Sequence, residues 1–145
     1  MRIGKLPPPM KITIEAPVAV SPAVAWKRWT TPADIEQWNA ASADWQCPSA
    51  TIDLREGGTF SYRMEAKDGS FGFDFAGTFT RVVEPELIEY TLGDDRIVRV
   101  EFEPTPTGTL VRETFEAEGE NEAEQQRQGW QAILDNFAKH AEAAG

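Results

Sequence analysis

The sequence predicts an α+β fold: a seven-stranded, curved antiparallel sheet wrapped around a long C-terminal helix, with two short helices after the first strand. Three observations carry this. Between Ala50 and Ala117, apolar and polar residues alternate in segments broken every ~10 residues, the pattern of an antiparallel meander. Ahead of them, one alternating strand is followed by two proline-led helix starts. After them the period changes: Trp130, Ile133, Leu134, Phe137 and Ala141 fall at helical spacing and make one apolar stripe.

Residues 1–9 (MRIGKLPPP) read as an extended arm and residues 10–145 as one domain. Lys11 to Ala16 sets Ile12 and Ile14 against Lys11, Thr13 and Glu15, a half-buried strand. Ser21-Pro22 then supplies a capping hydroxyl and a proline at the first helical position, and Thr31-Pro32 repeats the device, with Asp34 three residues after the cap. Asn39 to Pro48 has no sustained period and reads as an apolar loop containing Trp45. Six strands follow, centred on Ile52 and Leu54; Phe60, Tyr62 and Met64; Phe73, Phe75, Gly77 and Phe79; Ile88, Tyr90 and Leu92; Val98, Val100 and Phe102; and Val111, Glu113 and Phe115. Gly57-Gly58 and Asp68-Gly69 are turn signals between them. Asn121, followed by Glu124, marks the start of the last helix, with Asn accepting from the first-turn amides.

A meander of this width has an apolar face that one helix must cover. A helix is ~10–12 Å across and each strand adds ~4.8 Å, so the sheet has to curl, enclosing space between its inner face and the helix. That face is rich in aromatic residues. For any one ring, filling the core is the plainer reading; together they suggest a pocket for an apolar or aromatic small molecule. Trp38 and Trp45 are expected at its mouth. Phe60, Tyr62, Met64, Phe73, Phe75, Phe79, Tyr90, Val100, Phe102, Trp130 and Leu134 are expected along its walls. Gly77 on the inward face and Gly129 beside Trp130 remove side-chain volume where packing would add it, and Gly129, inside a helix, points to a close backbone approach or to room for a ligand.

The composition excludes several classes of function. Fourteen Lys and Arg against 24 Asp and Glu give a net charge of −10, the wrong sign for tracking phosphates or anionic lipid. One Cys permits neither an internal disulfide nor a cysteine zinc site, and a single His, His140, leaves no histidine cluster for a metal. Glu56-Gly57-Gly58-Thr59 lacks the lysine of a phosphate loop. No cofactor, nucleic acid or membrane partner is therefore expected, and the lone thiol and the absence of a secretory signal favour the cytoplasm. Cys47 has no electropositive neighbours and reads as a plain thiol.

Alternation places Glu113 on the same face as Val111 and Phe115, toward the cavity. A register shift turning it outward, or a solvated rim position, is the plainer alternative. The sharper one is a carboxyl inside the pocket, its pKa raised by desolvation, anchoring a ligand or moving a proton. Asp44, beside Trp45, is a second candidate at the entrance. Arg63, Glu65, Asp74, Arg99 and Glu101 alternate away from the rings and suit ion pairs on the convex face.

The element order, the Ser21-Pro22-x-x-x-Trp26 helix start, the Gly57-Gly58 turn and the Gly129-Trp130 pair resemble the SRPBCC (START/Bet v 1-like, helix-grip) superfamily. Within it, DWQCP, GGTFSYRMEAKDGSFGFDF and GWQAILDNF are similar to the branch named after the C-terminal domain of the Hsp90 ATPase activator, in a bacterial subgroup loosely called polyketide cyclase or dehydrase. The resemblance spans Met10 to Ala143 and implies a cavity for a hydrophobic small molecule or lipid, with no shared catalytic motif. Two further functions are implied: a cyclase, dehydratase or isomerase using a cavity carboxylate, and, ranked last, a module acting on Hsp90. Exposed tryptophans and edge strands also leave room for a homodimer.

Overall fold

Ile12, Ile14, Ala16 and Val18 are buried and their neighbours exposed along β1 (Lys11–Val18). The structure, a computed structural model, describes residues 10–144; the expected arm at residues 1–9 lies outside them. In α1 (Pro22–Thr30) the Ser21 hydroxyl accepts from the Val24 amide at 3.3 Å, as the Ser-Pro start predicts. The second start behaves differently. Thr31 ends α1 as well as preceding α2 (Pro32–Trp38), and its hydroxyl donates at 2.6 Å to the Lys27 carbonyl, which also accepts from the Thr31 amide, instead of capping α2.

The meander comprises β2 (Trp45–Ile52), β3 (Thr59–Ala66), β4 (Gly72–Val83), β5 (Leu87–Leu92), β6 (Ile97–Thr105) and β7 (Gly108–Glu116). All neighbours are antiparallel in the order β1-β7-β6-β5-β4-β3-β2, so β1 returns beside the last strand and β2 forms the far edge. The sheet curls into a half-barrel around α3 (Ala123–Ala144), as expected. One expectation is corrected here: Trp45 to Pro48 belongs to β2 and not to a loop. The register slips between Gln46 and Ser49, and such a bulge erases the alternation by which a strand is recognised. Pro48 is tolerated because an edge strand leaves one side of its ladder unused.

The start of α3 is also built differently from the expectation. The helix begins at Ala123, and the Gln126 side chain ties the preceding turn. Its amide donates to the carbonyls of Glu118 (3.0 Å) and Asn121 (2.8 Å), while its oxygen accepts from the Glu118 amide (2.9 Å). Asn121 contributes its backbone amide to the Glu118 carboxylate at 2.7 Å. A glutamine both donates and accepts, so one side chain holds the turn that leads into α3.

Register fixes the inner face. Ile14, Glu113, Val100, Ile88 and Val82 form one row across the sheet, and Ile12, Phe115, Val98, Tyr90 and Phe79 the next. α3 settles off-centre, packing on β1, α1 and α2. Arg127 and Gln131 donate to the carbonyls of Thr13 (2.8 Å) and Glu15 (3.0 Å), occupying the outer edge of β1. Below it Trp29, Trp38 and Phe137 meet with ring centroids 4.8–5.2 Å apart, joined by Phe102. On the convex face Arg63 pairs with Glu65 and Asp74, and Arg99 with Glu89 and Glu101, as the alternation predicts. Among the described residues no helix is long and apolar enough to cross a membrane.

Candidate functional site

Because α3 leans toward β1, the inner faces of β3, β4 and β5 meet it across a gap, leaving a cavity of about 360 Å³. Trp130 spans the gap. Its indole stacks on Phe115 of β7 (4.1 Å, interplanar angle 8°) and meets the edge of Phe75 of β4 at 5.9 Å. Tyr62, Met64, Phe75, Phe79, Ile88 and Tyr90 form the sheet wall, and Trp29, Trp38 and Asn39 close it from the short helices. At the rim the β5–β6 turn supplies Arg96, and the β7–α3 turn supplies Glu118 and Asn121, with Gln126 beside them. Arg96 is held by Asp94 at 2.7 Å, and the Asn121 amide keeps the Glu118 carboxyl below the usual carboxylate range.

Glu113 sits inside, 5% exposed and part of the cavity wall. Its register with Ile14 and Val100, both concave residues, allows no outward turn. Burial alone pushes its pKa up to about 8, so it holds its proton at neutral pH. Among the described residues no side chain hydrogen-bonds to it, Tyr62 and Tyr90 included. Both tyrosines are held above their ordinary range, Tyr62 by burial and then the charge of Cys47, Tyr90 by burial and then the charge of Glu113.

Of the residues expected at the site, the cavity brings together Trp38, Tyr62, Met64, Phe73, Phe75, Phe79, Tyr90, Glu113 and Trp130. Phe73 is at the margin, 43% exposed, in an outer aromatic cluster with Phe71 and Trp45. Five others lie elsewhere. Trp45 packs in that outer cluster; Phe60 sits behind the wall against Phe79 and Tyr90; Val100, Phe102 and Leu134 are in the core. The surroundings of the two glycines differ from each other. A Cβ on Gly77 would lie 2.4 Å from the Thr91 carbonyl oxygen and 2.9 Å from the Phe60 ring, so Gly77 makes room for Phe60 and not for a ligand. A Cβ on Gly129 would meet nothing within 4 Å, so no close approach explains it.

Asp44 is exposed, its carboxylate accepting from the Ser42 hydroxyl, and takes no part in the wall. Cys47 is buried with its pKa pushed up to about 11, chiefly by that burial, which makes it an unreactive thiol. His140 lies 2.7 Å from Asp34, away from the cavity. Reading from sequence missed the part played by Gln126 and Ile133, although they stand four before and three after Trp130 on one helix face. It also missed Ile88, which alternates with Tyr90, and Arg96, which carries no periodic signal.

The family model described as Activator of Hsp90 ATPase homolog 1-like protein matches residues 19–142. The chain belongs to this family. It is similar to the AHSA1-like protein from Aeromonas hydrophila, with 49% identity over 94% of each chain and a TM-score of 0.88. It is also similar to a protein from Cytophaga hutchinsonii, with 46% identity over 92% of this chain and 93% of that one and a TM-score of 0.80. A protein from Nitrosomonas europaea shares the fold alone: 17% identity over 98% of this chain and all of the other (100%), TM-score 0.82. Among curated proteins none matches the chain. Family and fold are of the SRPBCC type read from the sequence, and both are consistent with a ligand-binding domain.

Proposed function

We propose that this protein binds an apolar or aromatic small molecule between its curved sheet and α3. The observation that carries the reading is the aromatic cavity of about 360 Å³ with one carboxyl buried in its wall. Pockets of ~300–1,000 Å³ with a few convergent polar groups are the usual form of small-molecule sites. Since a dry cavity of ~150 Å³ takes up benzene, this one suits a guest on the order of a dozen non-hydrogen atoms. Burial of apolar surface at ~25 cal/mol per Å² supplies the driving force, less the cost of ordering the guest. A cytoplasmic location is part of the proposal, supported by the single unpaired cysteine.

Titration with neutral hydrophobic fluorophores such as N-phenyl-1-naphthylamine tests it. Saturable binding with quenching of tryptophan emission is expected, because Trp29, Trp38 and Trp130 line the cavity. A flat response across the panel removes the reading. The raised pKa of Glu113 beside Tyr90 favours a second function, an acid–base enzyme of isomerase or dehydratase type. If Glu113→Gln leaves a discovered turnover intact, that function is lost. A role on Hsp90 ranks last, since only the family description supports it; a pull-down with the host's Hsp90 tests it.

A further inference from the structure

Aromatic walls account for an oily guest, but not for an acid among them. A buried carboxyl is a costly way to present a neutral donor, and the hydroxyls of Tyr62 and Tyr90 already present two in the same wall. What a carboxyl adds is a negative charge once its proton leaves. Glu113 is nine-tenths buried, reaches the cavity and has no hydrogen-bond or ion-pair partner among the described residues. Its strand neighbours Ile14 and Val100 are apolar. α2 and α3 turn no titratable group into the cavity. Besides the tyrosines, the titratable groups of the wall are Glu118 and Arg96 at the rim, and Arg96 is paired with Asp94. The ring faces attract cations, and a chain of net charge −10 does not repel them.

We propose that the cavity takes an organic cation, a protonated amine on an aromatic or alkyl body, with its nitrogen paired to the Glu113 carboxylate and its body against Phe75, Tyr90 and Trp130. This rests on the ligand-binding reading and names its ligand class. In the empty site Glu113 keeps its proton. When the ammonium enters, that proton passes to solvent, and an ammonium N–H donates to the carboxylate left behind. No bond other than O–H is broken, and the ligand keeps its own proton.

Calorimetric titration at pH 7 with 2-naphthylmethylamine, 2-naphthylmethanol and 2-naphthoate tests the assignment, using two buffers of different ionisation enthalpy. The amine is expected to bind at least tenfold more tightly than the alcohol. With the pKa at about 8, it should release about nine-tenths of a proton per molecule bound. In Glu113→Gln both the preference and the proton release should vanish. If the alcohol or the carboxylate binds as tightly as the amine, if amine binding releases no proton, or if the Gln variant keeps both effects, the cation assignment is overturned while the pocket stands. If none of the three probes binds, the ligand-binding reading falls with it.

Discussion

Glu113 stores a pH dependence that the rest of the protein must carry. Its ordinary pKa is 4.5 and its folded value is about 8. Below 4.5 both folded and unfolded chains hold the proton. From there to about 8 the unfolded chain releases it and the folded chain does not, so stability falls as pH rises and levels off above 8. Over that window the loss attributable to this one group is on the order of 5 kcal/mol at most. Urea unfolding of wild type and Glu113→Gln from pH 4.5 to 8.5 should show the two diverging steadily, with the Gln variant more stable at pH 7. Parallel curves would show that Glu113 is not desolvated. The inward direction of Glu113 was legible from its alternation with Val111 and Phe115. Its lack of partners was not, since that depends on where side chains from other strands stop.

Among the elements, strands and helices were legible wherever periodicity was unbroken. The signal failed at the β2 bulge and at the starts of α2 and α3, where the Thr31 hydroxyl turns back to the Lys27 carbonyl and Gln126 ties the preceding turn. The two glycines make opposite predictions. Gly77→Ala forces a methyl against the Thr91 carbonyl and the Phe60 ring, a backbone contact that cannot swing away, and should cost about 1–3 kcal/mol. Gly129→Ala meets open space inside a helix and should stabilise by about 1 kcal/mol. Chemical denaturation of both variants checks the pair; equal effects would contradict the packing described for them.

For the molecule as a whole, the curl was legible from arithmetic, because one helix cannot cover seven flat strands. That space would remain was not, because it depends on α3 coming to rest against β1, held by Arg127 and Gln131, instead of centrally. A guest that fills the space binds only the folded chain. At one hundred times its dissociation constant it should therefore add about 2.7 kcal/mol to stability and raise Tm by about 6–11 °C. Thermal melts with increasing N-phenyl-1-naphthylamine measure this; an unchanged Tm at saturation would contradict it.

β7 is hydrogen-bonded along both sides, to β1 and β6, so the backbone beneath Glu113 is fixed by two ladders. Arg96, Glu118 and Asn121 instead come from turns. Such a division separates anchorage from taste: the threshold can be rewritten, letter by letter, to welcome a different visitor while the hook that catches it stays where it is.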